Sequence, residues 1–301
     1  MTMASTGAAG HCVPAPLRRS PPPVGARRAM RRPASRARVR RWAVACASDG
    51  AAPQLLEAAE HTVDNYIKSG MMIGLGSGHA SSMVMQYLGR RLREGALKDI
   101  IGIPTSISSA SEAAKAGIPL SDYQDSLQID FAFDDADIIE EGTLSAIIGR
   151  RKLEGGESIT EEKSIIKTSG KLAFIITENQ YTRDLDGSIP VIVKSGNWME
   201  TAEEIDDLFL GDAEVWRRPA TGYAGPLGGD FPLITREGYH VLDVIFTSPI
   251  RDLAQVSDDL DQIDGVVDHG IVFRTPCTAI IASNVGLQIV DNLPMNAAGQ
   301  M

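Results

Sequence analysis

The chain has 301 residues, is 43% hydrophobic and carries a formal net charge of −10, which suits one large or two small domains around an ordinary core. No apolar run approaches the roughly 20 residues of a spanning helix, so a membrane-spanning helix is excluded and a soluble protein is expected. Of three cysteines, Cys12 and Cys46 lie near the N-terminus and Cys277 stands alone in the body, which excludes a disulfide framework and a cysteine-based metal site.

The first 48 residues hold ten arginines and no acid, are rich in Ala, Ser and Pro, and end in VACAS before Asp49. This composition predicts an organelle transit peptide over 1–48, with chloroplast favoured by the Ser, Ala and Pro content. The alternative is a basic arm for nucleic acid. Setting the ten arginines aside leaves −20 on the remaining 253 residues. So acidic a surface repels nucleic acid and anionic membranes, and an anionic substrate needs a local positive patch.

Leu55, Leu56, Ala59, Val63, Tyr66 and Ile67 recur at helical spacing and stop before Gly70. Met71 to Leu75 reads as a strand, Gly74, Gly76 and Gly78 as a loop, and Ala80, Val84, Leu88 and Leu92 as the stripe of a second helix. A glycine loop between strand and helix lets backbone amides approach an anion. A dinucleotide is disfavoured, because the second strand ends in Pro104 and Thr105 where an acid is needed. His79 has no second His or Cys beside it and reads as a capping or surface residue. The next helix is expected to be capped by Ser109 with Glu112 at the third position, and to end at Gly117.

The apolar run Ile129 to Phe133 reads as a buried strand delivering Asp134, Asp135 and Asp137 at its C-terminal end, where open α/β sheets place ligands. Gly155 and Gly156 then loosen the backbone, and Ser158 with Glu161 makes a capping box for a helix whose first turn carries Glu162. A strand-end acidic pair facing a helix-start glutamate suits polyol hydroxyls and proton transfer, the alternative being a solvated acidic loop. Leu172 to Thr177 is a further strand.

From Pro190 the pattern changes. The expected order is strand 191–193, a helix opening at Asn197 and Glu200, strand 213–216, a loop over 219–232 and strand 239–246. A helix starting at Ser248 and Pro249 and a strand Val266 to Phe273 complete it. This is the split βαβ order of a ferredoxin-like domain. Thr278 to Ala282 and Leu287 to Val290 are strands expected to rejoin the first sheet. His269 and Cys277 read as core residues, and Trp198, Trp216 and Phe246 as core or oligomer contacts. The fold class is α/β: a Rossmann-like, doubly wound, mostly parallel sheet with a ferredoxin-like α+β lid domain. Expected boundaries are a Rossmann-like domain over 49–189, completed by 274–301, and a lid over 190–273.

Taken together, GLGSGHASS at 74, GIPTS at 102, FDDAD at 133, GGESITEEK at 155, VLDVIFTSPIRDL and GVVDHGIVF resemble the type A ribose-5-phosphate isomerase family in its plant plastid form, over nearly all of residues 53 to 292. The resemblance implies interconversion of ribose 5-phosphate and ribulose 5-phosphate, in the pentose phosphate and Calvin pathways, without cofactor or metal, by a homo-oligomer (dimer or tetramer) of the chloroplast stroma. It implies Glu162 as catalytic base, Asp134 and Asp137 as ligands of the sugar oxygens, and a substrate cradle of Ser77, Gly78, His79 and Ala80. Asp135, Ala136, Gly155 and Gly156 complete the implied binding set.

This chain departs from the family pattern where hydroxyl residues give way to His79 and Ala80, and where DGAD becomes DDAD. Two family lysines fall on Leu153 and about Tyr181. Losing cations and gaining acids is the wrong direction for binding a phosphate and stabilising an enediolate. Arg150, Arg151 and Lys152, in a connection longer than the family's, are the candidate replacements, with a solvated basic loop as the alternative. The contrasting function is a homologue that keeps the fold and serves as a binding or assembly component.

Overall fold

The computed structural model describes residues 52–124, 128–150, 158–221 and 231–292, all within one unit, Val44–Met301. Gly155, Gly156, Arg151, Lys152, Leu153 and residues 1–48, where a transit peptide is expected, lie outside the described residues.

The first element, α1 (Ala52–Tyr66), buries Leu55, Ala58, Ala59 and Val63 and leaves Leu56 exposed. Then come β1 (Met72–Leu75), α2 (His79–Arg93), β2 (Ile101–Pro104), α3 (Ile107–Ala116) and β3 (Phe131–Asp134). Helix α3 starts earlier than its sequence suggests. Ser106 is the cap: its hydroxyl accepts from the Ser109 amide at 3.0 Å, and the Ser109 hydroxyl accepts from the Ser106 amide at 3.0 Å. A serine supplies both halves of this reciprocal cap, so Glu112 is not needed and pairs with Lys115 instead.

Two short strands follow, β4 (Ile138–Glu140) and β5 (Ala146–Ile147), then α4 (Ile159–Thr168), β6 (Leu172–Thr177) and β7 (Tyr181–Thr182). The lid elements are β8 (Leu185–Val193), α5 (Trp198–Leu208), β9 (Ala213–Arg217), β10 (His240–Ile250), α6 (Leu253–Leu260) and β11 (Val266–His269). The chain ends on β12 (Ile271–Val272), β13 (Cys277–Ser283) and β14 (Gly286–Asp291).

The main sheet has the order β14-β13-β6-β3-β1-β2, parallel except for β14. One face packs α1, α2 and α3 on Phe131, Phe133 and Ile73, and the other carries α4 through Ile159 and Ile166 on Phe174 and Ile176. The lid sheet, β11-β8-β10-β9, is antiparallel throughout, with α5 and α6 supplying Ile205, Leu253 and Leu260 to its core. In order of appearance its strands are arranged 4-1-3-2, the ferredoxin-like order.

Three expectations are corrected. The first lid strand begins at Leu185, five residues before Pro190, which it incorporates. Ser248 and Pro249 do not start a helix: β10 runs on to Ile250, and the register on β8 shifts between Phe246 and Ile250, an irregularity that tolerates a residue without an amide proton. The helix starts at Asp252, whose carboxylate accepts from the Gln255 amide at 3.0 Å. Val266 to Phe273 is two strands, because Gly270 carries the chain from the lid sheet into a third sheet, β12-β5-β4-β7. That small sheet was not anticipated; strands of two or three residues carry no periodicity.

Candidate active site

The strand order places β1 between β2 and β3, so successive connections leave β1 in opposite directions. Such a switch point opens a crevice outside the C-terminal ends of the strands. The glycine loop after β1 and the acidic run after β3 face each other across it. Gly76 has to be glycine, since a Cβ there would stand 2.4 Å from Asp134 Oδ1.

Asp134 is 1% exposed. Its Oδ1 accepts from the amides of Ser77 and Asp135, each at 2.9 Å. Oδ2 is buried with no hydrogen-bond donor against it, and the Glu162 carboxyl is the neighbouring side chain that acts on the Asp134 carboxyl. A proton shared between the two carboxyls would serve that oxygen. Burial pushes the Asp134 carboxyl up to about 7, the bond with Glu162 opposes that rise, and the charge of Asp135 adds to it.

Glu162 reaches this position from the first turn of α4, where Ser158 caps the helix by accepting from the Glu161 amide at 3.2 Å. Its own amide donates to the Ser158 carbonyl at 3.0 Å, and it is 8% exposed. The structure therefore brings together residues 134 and 162, which the sequence sets on different elements.

Asp135 points elsewhere. Its carboxylate accepts from the amides of Ala80 (3.1 Å) and Ser81 (2.7 Å) and from the Ser81 hydroxyl (2.7 Å). Gly78, at the N-cap of α2, provides no side-chain cap, so Asp135 caps the helix from across the sheet. Amides expected to face a ligand thus hold the protein's own carboxylate. Ser77 and Gly78 are half-buried, Ala80 is buried, and His79 is exposed at the first helical position.

Ala136 is buried, with its carbonyl accepting from Gln180 Nε2 at 2.6 Å. Asp137 accepts from the Arg150 amide at 2.8 Å, while its own amide donates to the Ile147 carbonyl at 2.9 Å. The Arg150 guanidinium lies against β8, donating to the carbonyls of Ser188 and Asp186 at 2.6 Å each. Tyr181 is half-buried on β7 and brings no cation.

Several contributors were not visible in the sequence: Ser81 and Gln180, which hold Asp135 and Ala136; Arg236, 3.6 Å from Glu161; and Lys163, paired with Asp268. Each acts through a partner more than 40 residues distant, and only the adjacency of Lys163 to Glu162 offered a hint. Among the described residues no group of three metal-ligating side chains is assembled. Chemically, a buried carboxyl pair with one shared proton can accept a proton from carbon and return it, with Asp137 nearby to accept from a hydroxyl.

Comparison with known proteins points the same way. A family model described as ribose 5-phosphate isomerase A (phosphoriboisomerase A) matches residues 101–286. A ribose-5-phosphate isomerase A of Gluconobacter oxydans is 35% identical, over 77% of this chain and 93% of that protein. A probable ribose-5-phosphate isomerase of Arabidopsis thaliana is 32% identical, over 78% of this chain and 86% of its own. The solved ribose 5-phosphate isomerase of Plasmodium falciparum superposes with a TM-score of 0.70 at 29% identity, covering 81% of this chain and 99% of that one.

Proposed function

Because the chain belongs to the ribose 5-phosphate isomerase A family, we propose that it interconverts D-ribose 5-phosphate and D-ribulose 5-phosphate, with the Asp134–Glu162 pair as its proton-transfer device. Glu162, as carboxylate, takes the proton from carbon 2 of the open-chain aldose. The released electron pair forms the carbon 1–carbon 2 double bond, and the carbonyl oxygen becomes an enediolate oxygen. A proton passes from the oxygen on carbon 2 to that on carbon 1, and Glu162 returns its proton to carbon 1 to give the ketose. Asp137 accepts from a sugar hydroxyl during these steps, and Ser77, Gly78 and His79 with Gly155 and Gly156 line the substrate, while Ala80 and Ala136 are buried behind them with their backbone groups already bonded.

The observation that carries this reading is the placement of two buried carboxyls, Asp134 and Glu162, as neighbours at the sheet's switch point. Enediolate charge falls to a basic residue of 150–152. Arg150 is the candidate with a described position, its amide on Asp137 and its guanidinium at the start of the lid. The arginine-rich residues 1–48 serve as a transit peptide to the chloroplast stroma, where the product feeds the Calvin and pentose phosphate pathways; a plant relative supports that placement. The two-domain division, 49–189 with 274–301 and 190–273, has its first lid strand start moved to Leu185. The lid exposes Leu210 (76%), Phe231 (73%) and Ile234 (59%), which supports assembly into a homo-oligomer.

The test is the full-length chain with ribose 5-phosphate, following ribulose 5-phosphate, beside Glu162→Gln. Turnover that falls by about a hundredfold or more in the variant is expected. Absence of turnover in a folded wild-type protein contradicts the assignment.

A further inference from the structure

Glu162 closes the first turn of α4 and Lys163 follows it, so their side chains leave the helix about 100° apart. Glu162 turns to Asp134 at the C-terminal end of β3. Lys163 turns to the lid, where it is 4% exposed. Its ammonium pairs with Asp268 and donates to the His269 carbonyl at 2.8 Å. A cavity of about 70 Å³ adjoins it, lined also by Lys167, Asp261 and Phe273.

The segment that receives Lys163 is itself fixed on every side. Asp268 Oδ1 also accepts from the His269 amide at 2.8 Å. The buried His269 ring accepts from the Ile271 amide at Nδ1 (3.1 Å), which leaves the ring proton on Nε2, 3.0 Å from Ser257 Oγ and 3.2 Å from Asp261. Gly270 donates to the Pro190 carbonyl at 2.7 Å and accepts from the Ile148 amide at 2.8 Å. A Cβ on Gly270 would stand 2.3 Å from the Ile148 carbonyl oxygen. Residues 268–270 are thus bonded to α4, β8, α6 and the end of β5, and β5 holds the Asp137 amide through Ile147.

We propose that Lys163 is a positioning residue: its bonds to Asp268 and the His269 carbonyl fix the rotation of the first turn of α4, and so hold the Glu162 carboxyl against Asp134 with the lid in place. The inference rests on Glu162 being the base. The strut makes the lid junction, and not α4 alone, responsible for the geometry of proton transfer.

The experiment compares the full-length chain with Lys163→Met, Lys163→Arg and Asp268→Asn, using ribose 5-phosphate and Glu162→Gln as reference. Lys163→Met and Asp268→Asn should lower kcat by on the order of tenfold or more, because a misplaced base loses rate steeply with distance, while KM stays within about threefold. Lys163→Arg should recover most of the loss, and the double variant Lys163→Met/Asp268→Asn should be no worse than Lys163→Met. Independently of turnover, exchange of the Glu162 amide should quicken about tenfold in Lys163→Met with the α2 amides unchanged. A kcat within about threefold of wild type, or an unchanged Glu162 amide, overturns the strut. Should Glu162→Gln retain full turnover, the base assignment fails, and amide exchange decides the strut by itself. If Lys163→Met does not fold, Asp268→Asn, nearly the same shape, carries both readouts.

Discussion

Asp134 is where residue-scale physics is most exposed to measurement. Its ordinary value is 3.8 and burial pushes it to about 7, so between those values the folded chain holds a proton that the unfolded chain has released. Stability from this group is therefore complete below about pH 4 and is lost as pH rises through 7. The wild type minus Asp134→Asn difference in unfolding free energy should fall across that window by a few kcal/mol, measured by urea denaturation at pH 4, 5.5, 7 and 8. A difference that is flat or grows with pH would show Asp134 ionised throughout. At this scale the acids themselves were readable: Asp134 from its strand end, Glu162 from its capped helix start. That Asp135 turns away to cap α2 was not, because the choice depends on Ser81, 54 residues earlier, and on a glycine cap with no side chain of its own.

At the scale of elements, α2 depends on that borrowed cap. Asp135→Ala leaves the Ala80 and Ser81 amides without it and should cost about 1–2 kcal/mol; Asp135→Asn, which keeps an acceptor, should cost less. Equal urea midpoints for wild type and Asp135→Ala would mean that water replaces the carboxylate at no cost. Elements with strong periodicity, α1, α2 and β6, were legible to within a few residues. The capping of α3 moved by three residues, from Ser109 to Ser106, and the helix expected from Pro249 gave way to a strand irregularity, because local capping signals recur wherever Ser, Asp and Pro cluster. The small sheet was illegible for a different reason: its strands are too short to show a period, and its edge strand β12 comes from more than 100 residues beyond its partner β5.

Across the whole molecule, the order of strand and helix segments was enough to predict a parallel sheet and a ferredoxin-like lid, since crossover rules leave few alternatives. What order does not supply is how the lid and the sheet are tied, which the structure places on Gly270 and its neighbours. Gly270→Ala should lower the melting temperature by several degrees or prevent folding, as its Cβ collides with the Ile148 carbonyl; a melting curve matching wild type would mean the junction yields freely. The exposed lid surface makes a further prediction: light scattering should give the mass of a dimer or tetramer, and Leu210→Glu should reduce it. A monomeric wild type would contradict the homo-oligomer.

The most direct measurement of the account is a ¹³C NMR titration of the Asp134 and Glu162 carboxyl carbons in the full-length protein. The shared-proton pair predicts coupled titration of both carbons, with one step near pH 7 that disappears in Asp134→Asn. Two independent titrations, both complete below pH 5, would contradict it and remove the proton-transfer device from this site.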